Sequence, residues 1–176
     1  MRYPFAARRF AAVLLPTLAL LLALMPLCGP AWAGCTDAAQ PKVAWRRCSF
    51  EGQAMPGASL AGAVLRDTTF QRANLGGADF SDADAYRAKF ISALAPGARF
   101  DRARLIEVDF TRADLAGASF RDADLRNAKL VAASLVNADF TGAKLGGSDL
   151  QHADLSGARW IDGARLCAEG SIGQCN

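Results

Sequence analysis

A period of five residues dominates the sequence and restricts the folds that it can adopt. From Phe50 to Trp160 every fifth residue is large and apolar, apart from Ala85 and Ala95. On an α-helix five residues advance about 500°, so these side chains would form no stripe. In a continuous strand an odd period would send them to alternate faces. The pattern therefore predicts a chain that turns a corner in every unit, so that all the large residues share one interior.

A small residue stands two positions before each large one. Across positions 58–158 it is alanine in 18 of 21 cases, and the exceptions are Thr68, Val108 and Ser148. Residues 113–117, which read Ala-Asp-Leu-Ala-Gly, show the unit at its clearest. A small and a large residue in every unit are what a narrow, filled tube requires.

These units resemble the consensus Ala-(Asp/Asn)-Leu-x-x of the pentapeptide-repeat family. The resemblance covers residues 50–163 and implies an all-β fold, a right-handed quadrilateral β-helix. With twenty residues per coil, this length predicts five to six coils. The large residue and the small one before it would point inward, and the other three outward.

Alignment at intervals of twenty separates the large residues into four columns. The phenylalanines after Phe50 fall on two opposed columns, and the other two columns hold leucine or alanine. Large columns that face each other suit a tube of uniform cross-section. Because Ala85 and Ala95 flank Phe90 in one coil, we expect a small void or a narrowed turn there. The phenylalanine-rich columns are Leu60, Phe80, Phe100, Phe120, Phe140 and Trp160, and Phe70, Phe90, Phe110, Leu130 and Leu150.

Outward charges alternate in sign from coil to coil. Opposite charges directly across a ladder attract and like charges repel, so this alternation predicts that the charges hold the coils in register. It disfavours mimicry of DNA, which needs long runs of acidic residues. The two clearest series are Asp84, Arg104, Asp124 and Lys144, and Lys89, Asp109, Lys129 and Asp149.

The charge balance excludes a general nucleic-acid binder. The chain has 20 basic and 17 acidic residues, and Arg2, Arg8 and Arg9 lie in the first nine positions. Without those three, 17 basic residues balance 17 acidic ones, so the remainder has no basic footprint for nucleic acid. We expect a protein partner, which the sequence does not identify. The alternative is the family's best-known activity, a DNA-mimic inhibitor or protector of a topoisomerase such as gyrase.

Residues 1–33 have the composition of a signal peptide. A basic start precedes the apolar run Phe10–Met25, and Ala31-Trp32-Ala33 forms a small-residue cleavage site before Gly34. The sequence therefore predicts an exported protein, located in the periplasm or secreted.

Two other fates of this segment stay open. An uncleaved membrane anchor is disfavoured because Pro16 and Pro26 leave less than the roughly 20 apolar residues of a span. Lipoprotein processing would make Cys35 a lipid-anchored N-terminus, but Trp32 is bulky where a branched aliphatic residue is usual.

Four cysteines remain after the predicted cleavage, since Cys28 lies in the signal peptide. They are Cys35, Cys48, Cys167 and Cys175, and they allow three disulfide pairings that the sequence does not decide. Proximity favours Cys35 with Cys48 and Cys167 with Cys175. Zinc is disfavoured because the spacings are unlike those of common zinc sites. An oxidising compartment favours disulfides.

The segments that flank the repeats are interpreted as caps, because a solenoid end exposes both core and strand edge. Residues 34–49 with Cys35 and Cys48 form the predicted N-terminal cap, and residues 164–176 the C-terminal one. The ending resembles that of exported bacterial pentapeptide proteins, with Trp-x-Asp-Gly followed by Cys and Gly-Ser-x-Gly-x-Cys.

The sequence shows no catalytic, cofactor or metal motif, so we expect a protein that is not an enzyme. The single histidine, His152, falls on an outward position and is interpreted as a solvated side chain. A filled tube also lacks the concave pocket of most active sites. One candidate contact patch stands out among the mostly polar outward positions: Tyr86, Ile91, Leu94, Pro96 and Ile106.

Overall fold

A two-residue turn recurs every five residues and bends the backbone into coils. The computed structural model describes residues 34–176, so the predicted signal peptide lies outside the described residues. The turns begin at 41–42 and continue at 46–47, 51–52 and onward to 161–162. From 46–47 to 156–157 the second turn residue has a positive φ in every turn, whether it is a glycine such as Gly97 (66°) or another residue such as Arg87 (56°). Since this conformation costs a residue other than glycine about 1–2 kcal/mol, packing between coils must impose it.

The coils are joined by single-residue parallel bridges between positions twenty apart. The first bridge pairs Ala44 with Val64, and the last pairs Asp139 with Arg159. Residues 34–176 contain no helix and no longer strand, because another turn follows each bridge within two residues. Four turns per twenty residues make each coil four-sided, as the period of five predicts.

Corresponding sides of successive coils stack along the axis and form four walls. We label the walls A to D and define each by its column of inward residues. Walls A and C hold the phenylalanine-rich columns of Phe100 and Phe90, respectively, and walls B and D lie between them. Wall B holds Leu65, Ala85, Leu105, Leu125 and Leu145, and wall D holds Leu75, Ala95, Leu115, Leu135 and Leu155.

Aromatic stacking fills the middle of the tube. Along wall A, the Phe80 and Phe100 rings stack at 4.9 Å and the Phe100 and Phe120 rings at 5.1 Å. Across the tube, Phe100 meets Phe110 edge-on at 5.4 Å. Both arrangements are favourable for aromatic pairs. From Leu60 to Phe140 the large inward residues are fully or almost fully buried, so the predicted core columns are confirmed over this range. Leu145, Leu150 and Trp160, near the C-terminal end, are only partly buried.

Two of the exceptions to alanine have a structural role. The Thr68 hydroxyl is fully buried and donates to the Trp45 carbonyl. The Ser148 hydroxyl donates in the same way to the Leu125 carbonyl, at 2.8 Å. A buried hydroxyl needs such a partner, and in both cases the previous coil supplies it.

Candidate interaction surfaces

The interior of the rod is occupied by its own side chains, so the outer walls and the two ends are the surfaces available for function. One depression on the outside is a shallow groove of about 250 Å³. Its lining is charged and polar: Arg87, Lys89, Glu107, Asp109, Asn127 and Lys129. Such an open groove lacks the apolar enclosure of an ordinary ligand pocket.

Aspartates in the middle of the walls cap the turns that follow them. The Asp109 carboxylate accepts from the Thr111 N–H at 3.0 Å, and Asp149 does the same for the Gln151 N–H. A side chain that accepts from the backbone two residues on forms an Asx-turn. At Asp154, hydrogen bonds from the Ser156 side chain and backbone lower the pKa of the carboxyl. The Asp/Asn preference of the repeat unit therefore has a local cause in the turn.

Some of the oppositely charged residues on neighbouring coils form ion pairs, and arginine supplies the positive charge. At the corner between walls A and B, the Arg102 guanidinium holds both Asp82 oxygens, at 2.8 and 2.7 Å. These hydrogen bonds lower the pKa of Asp82. On wall B, Arg104 reaches Asp84 at 3.1 Å. The expectation that alternating charges link neighbouring coils is met here.

Wall C carries the same alternation without ion pairs. Among residues 34–176, Lys89, Asp109, Lys129 and Asp149 make no ion pair within 4.0 Å. Lysine has a flexible stem and a compact ammonium group, whereas the arginine fork engages a carboxylate with two hydrogen bonds. Sign alternation in the sequence therefore does not specify which pairs form.

The predicted contact patch divides into two groups. Ile91, Leu94 and Pro96 follow one another around a single coil and cross wall D, where Leu94 is 52% exposed. Tyr86 and Ile106 stack on consecutive coils at the corner between walls B and C. Wall C separates this corner from Leu94, so the five residues do not form one continuous patch.

Charged neighbours hold Tyr86 in place. Its hydroxyl lies 3.2 Å from a Glu107 carboxylate oxygen, and the Arg104 guanidinium lies 5.0 Å from the ring centroid. The second distance is that of a cation–π contact. Tyr86 is thus part of the ion-pair network beside wall B. Leu94 is exposed, whereas Ile91 and Ile106 are only half-buried.

The N-terminal end is fastened by a disulfide between Cys35 and Cys48. Cys48 is buried at the small position two residues before Phe50, so the bond attaches the leading segment directly to the core. Trp45 is also buried, and its ring lies 4.2 Å from that of Phe50. The first bridge is at Ala44. The coils therefore begin inside the segment interpreted from the sequence as a cap.

At the C-terminal end, the chain reverses and pairs with the last coil. The Asp162 carboxylate accepts from the N–H groups of Ala164 and Arg165 at 2.9 and 2.8 Å, and hydrogen bonds from the Arg165 and Ala164 backbones lower its pKa. The returning segment forms antiparallel bridges, Leu166 with Arg159 and Ile172 with Asp154. A disulfide between Cys167 and Cys175 closes it.

No arrangement typical of catalysis or metal binding is found in the part of the chain that the structure describes. His152 is exposed on a turn. No group of three or more His, Cys, Asp or Glu side chains among residues 34–176 is placed to hold a metal ion. The same residues include no helix suited by length and hydrophobicity to cross a bilayer.

Sequence reasoning did not single out the outer surface of the C-terminal tail. Leu166 and Ile172 are 58% and 50% exposed, and Ile161 at the start of the reversal is 41% exposed. The repeat pattern stops at Trp160, so only the exclusion of these residues from the repeat could have drawn attention to them. Their exposure depends on the path of the tail.

Repeated coils, an inward Leu/Phe column on every wall and an Asx-turn after many bridges define a class, the pentapeptide-repeat solenoids. The family described as pentapeptide repeats matches residues 46–84, 86–122 and 118–157 with eight copies, which is more than half of the chain. The protein belongs to this family. Its members are generally non-catalytic scaffolds that act in protein–protein interactions, and no enzyme family is indicated.

Solved structures that resemble the chain are pentapeptide repeat proteins. HetL, involved in heterocyst differentiation regulation in the cyanobacterium Nostoc sp. strain PCC 7120, is 26% identical, with a TM-score of 0.43 and 70% of each chain covered. A trypsin-treated form of the plasmid-mediated fluoroquinolone resistance protein QnrB1 is 24% identical with a TM-score of 0.43, and the match covers 68% of this chain and 63% of QnrB1. A thylakoid-lumen protein of Arabidopsis thaliana is 25% identical, with a TM-score of 0.30 and coverage of 70% and 84%. No curated protein sequence matches.

Proposed function

We propose that this protein is an exported, non-catalytic interaction rod of the cell envelope, in the periplasm or secreted, that binds another protein through its outer surface. The observation that carries the proposal is the filled interior. The inward residues of the middle coils are buried, which leaves a small-molecule substrate no enclosed site there. Recognition must then use the walls or the ends, as in other solenoids.

Disulfides at both ends support the export part of the proposal. The Cys35–Cys48 and Cys167–Cys175 bonds hold all four cysteines of the described residues. Disulfides persist in oxidising compartments and are rare in a reducing cytosol. The signal peptide predicted in residues 1–33 accounts for how the chain would reach such a compartment.

Wall D is the surface that we assign to the partner. Leu94 projects from the middle of this wall, and Ile91 and Pro96 flank it on the same coil. Lysine and arginine are absent from the outward positions in the middle of the wall, which are Ala54, Asn74, Leu94, Asp114, Ser134 and Asp154. An apolar centre with few charges around it is the composition of an interface core.

The alternative function, protection of a topoisomerase by DNA mimicry, has less support. Mimicry needs rows of unpaired acidic groups, whereas Arg102 and Arg104 neutralise Asp82 and Asp84. A topoisomerase would also lie in a different compartment from an exported protein. A gyrase supercoiling assay with the inhibitor ciprofloxacin tests this alternative directly, and protection by the purified protein would establish it.

The proposal is tested in the producing cell by a photo-crosslinking amino acid at Leu94. We expect one discrete crosslinked adduct in the periplasmic or secreted fraction. The matched control places the same amino acid at Asp139, the corresponding mid-wall position on wall A. Intact mass of the same fraction, with and without reduction, reports cleavage and thiol state. Full-length protein confined to the cytoplasm with free thiols would contradict export, and equal crosslinking from both positions would contradict the assignment to wall D.

A further inference from the structure

The C-terminal end of the rod has a step. The returning tail adds one strand layer over walls D and A, through the bridges of Ile172 with Asp154 and of Leu166 with Arg159. Walls B and C of the last coil receive no such layer among residues 34–176. One half of the end is therefore about one strand spacing higher than the other, roughly 4.8 Å.

Backbone groups on the low half of the step lack partners. In every earlier coil, wall B and wall C donate to and accept from the next coil, as Leu125 does when its N–H bonds the Lys144 carbonyl at 3.0 Å. Within residues 34–176, the N–H groups of Leu145 and Leu150 have no acceptor, and the carbonyls of Ala143 and Ser148 have no donor. Each low wall thus offers one donor and one acceptor in the spacing of the ladder.

The tail offers the matching set on its outer edge. Its inner edge is used, since Cys167 both donates to the Ala158 carbonyl and accepts from the Gly157 N–H, at 2.9 Å each. Leu166 and Ile172 face away from the coil, and among the described residues neither their N–H groups nor their carbonyls have partners. Two donors and two acceptors on the tail therefore correspond to two of each on the low walls.

Apolar surface collects at the same end. Leu166, Ile172 and Ile161 are three of the four exposed large hydrophobic residues in the described chain. Leu145 and Leu150 are partly exposed, whereas the equivalent Leu125 and Leu130 one coil earlier are fully buried. An apolar surface beside an unpaired strand edge is a site for association.

We propose that this end binds a second copy of the same chain about a two-fold axis, with the tail of each copy filling the step of the other. The axis runs along the boundary between the high and low halves, so it superposes walls A and D of one copy on walls B and C of its partner. Leu166 then forms a backbone β-bridge with the partner's Lys144, and Ile172 forms one with the partner's Asp149. Ile161 lies at the corner that the axis crosses.

The corner between walls B and C favours a second copy of this chain over a foreign strand. A straight foreign strand can follow only one wall, because the chain turns between Leu145 and Leu150. The tail already turns the equivalent corner, and its two bridge residues are spaced to match Arg159 and Asp154. The resulting contact is closed and self-complementary, which stops growth at two copies. The dimer is separate from the wall D contact of the proposed function.

Sedimentation velocity of the oxidised protein, from about 10 μM to about 1 mM, tests the proposal; this range suits an interface smaller than the standard one. We expect a concentration-dependent dimer whose length by small-angle scattering is nearly twice that of the monomer. The variant Leu166→Lys places a charge between the copies and should weaken dimerisation at least about tenfold. Leu94→Lys, at a similarly exposed position on wall D, should leave it unchanged.

Thermal unfolding of both variants at low concentration checks that the monomer fold is retained. If Leu166→Lys unfolds the tail, Ile172→Lys provides the second variant, with the same expected loss of the dimer. A protein that stays monomeric up to about 1 mM overturns the proposal. So does a dimer that Leu94→Lys abolishes and Leu166→Lys spares, because such a dimer would associate through wall D.

Discussion

The middle coils and the two ends of the rod meet the same requirement with different residues. Each middle coil, such as the one with Phe100, has a neighbour on both sides, and its inward side chains are fully buried. Each end has a neighbour on one side only. There the chain uses a disulfide together with residues that the middle coils lack: Cys48 and Trp45 occupy inward positions of the first coil at one end, and the tail with Leu166 lies at the other. Repetition stabilises the interior, and non-repeating residues stabilise the ends.

The largest loss of stability should come from removing an aromatic ring from the core of a middle coil. Phe100→Ala removes a buried ring that stacks on Phe80 and Phe120, and we expect a loss of about 3–5 kcal/mol in the free energy of unfolding. Trp160→Ala is the comparison at the end, where the ring is only partly buried, and its loss should be smaller. Urea unfolding followed by circular dichroism measures both. Equal losses would show that the ends are packed as tightly as the middle.

The two disulfides should stabilise the two ends of the rod to different extents. Replacing Cys35 and Cys48 with alanine should cost about 3 kcal/mol, because the bond closes a loop of similar length to the 15-residue reference. Replacing Cys167 and Cys175 should cost less, since that loop is shorter. Alanine at position 48 also restores the usual small residue. Unfolding in urea under oxidising conditions gives the order, and a larger loss at the C-terminal end would refute this account.

A subtler change at the N-terminal end concerns Thr68. Thr68→Val keeps the shape but leaves the buried Trp45 carbonyl without the donor that it has now, and we expect a loss of about 1–3 kcal/mol. Val108, one of the other exceptions at the small position, shows that the column accommodates valine. Hydrogen exchange should show faster opening of the first coil specifically. Unchanged exchange there would mean that the hydroxyl adds no stability.

The smallest effect belongs to the surface ion pairs of the middle coils. The hydrogen bond from Arg102 lowers the pKa of Asp82, so this pair stabilises the fold above the unfolded pKa of about 3.9 and loses that contribution as the pH falls through the lower folded value. Asp82→Asn should therefore make the melting temperature fall slightly less steeply as the pH is lowered into the acid range. Asp122→Asn, in the same column and with no ion pair among residues 34–176, is the control. Thermal melts between about pH 2 and 7 measure the difference, and the same dependence of melting temperature on pH for Asp82→Asn and the wild-type protein would show that the pair is neutral.

Much of the fold was predictable because the repeat encodes it position by position. The sequence predicted that Phe90 and Phe100 lie on opposed walls, and the structure confirms it. The ion pairs were predictable only in part. Lys89 and Arg104 occupy equivalent alternating series, but within residues 34–176 Arg104 forms an ion pair and Lys89 does not. Side-chain geometry decides that difference, and sign alone does not. The candidate patch of Tyr86 and Leu94 was predicted as one surface, yet the two residues lie on opposite sides of wall C.

The sequence by itself determined the period and the inward columns, because each follows from residues five or twenty apart. Only the tertiary structure decided which cysteines pair, where the first coil begins at Ala44, and how the tail pairs with Asp154 and Arg159. The physical reason is that a repeated position has the same neighbours in every coil, so the pattern reports its environment. The residues at the ends have neighbours that occur once, and only the three-dimensional path of the chain brings them together.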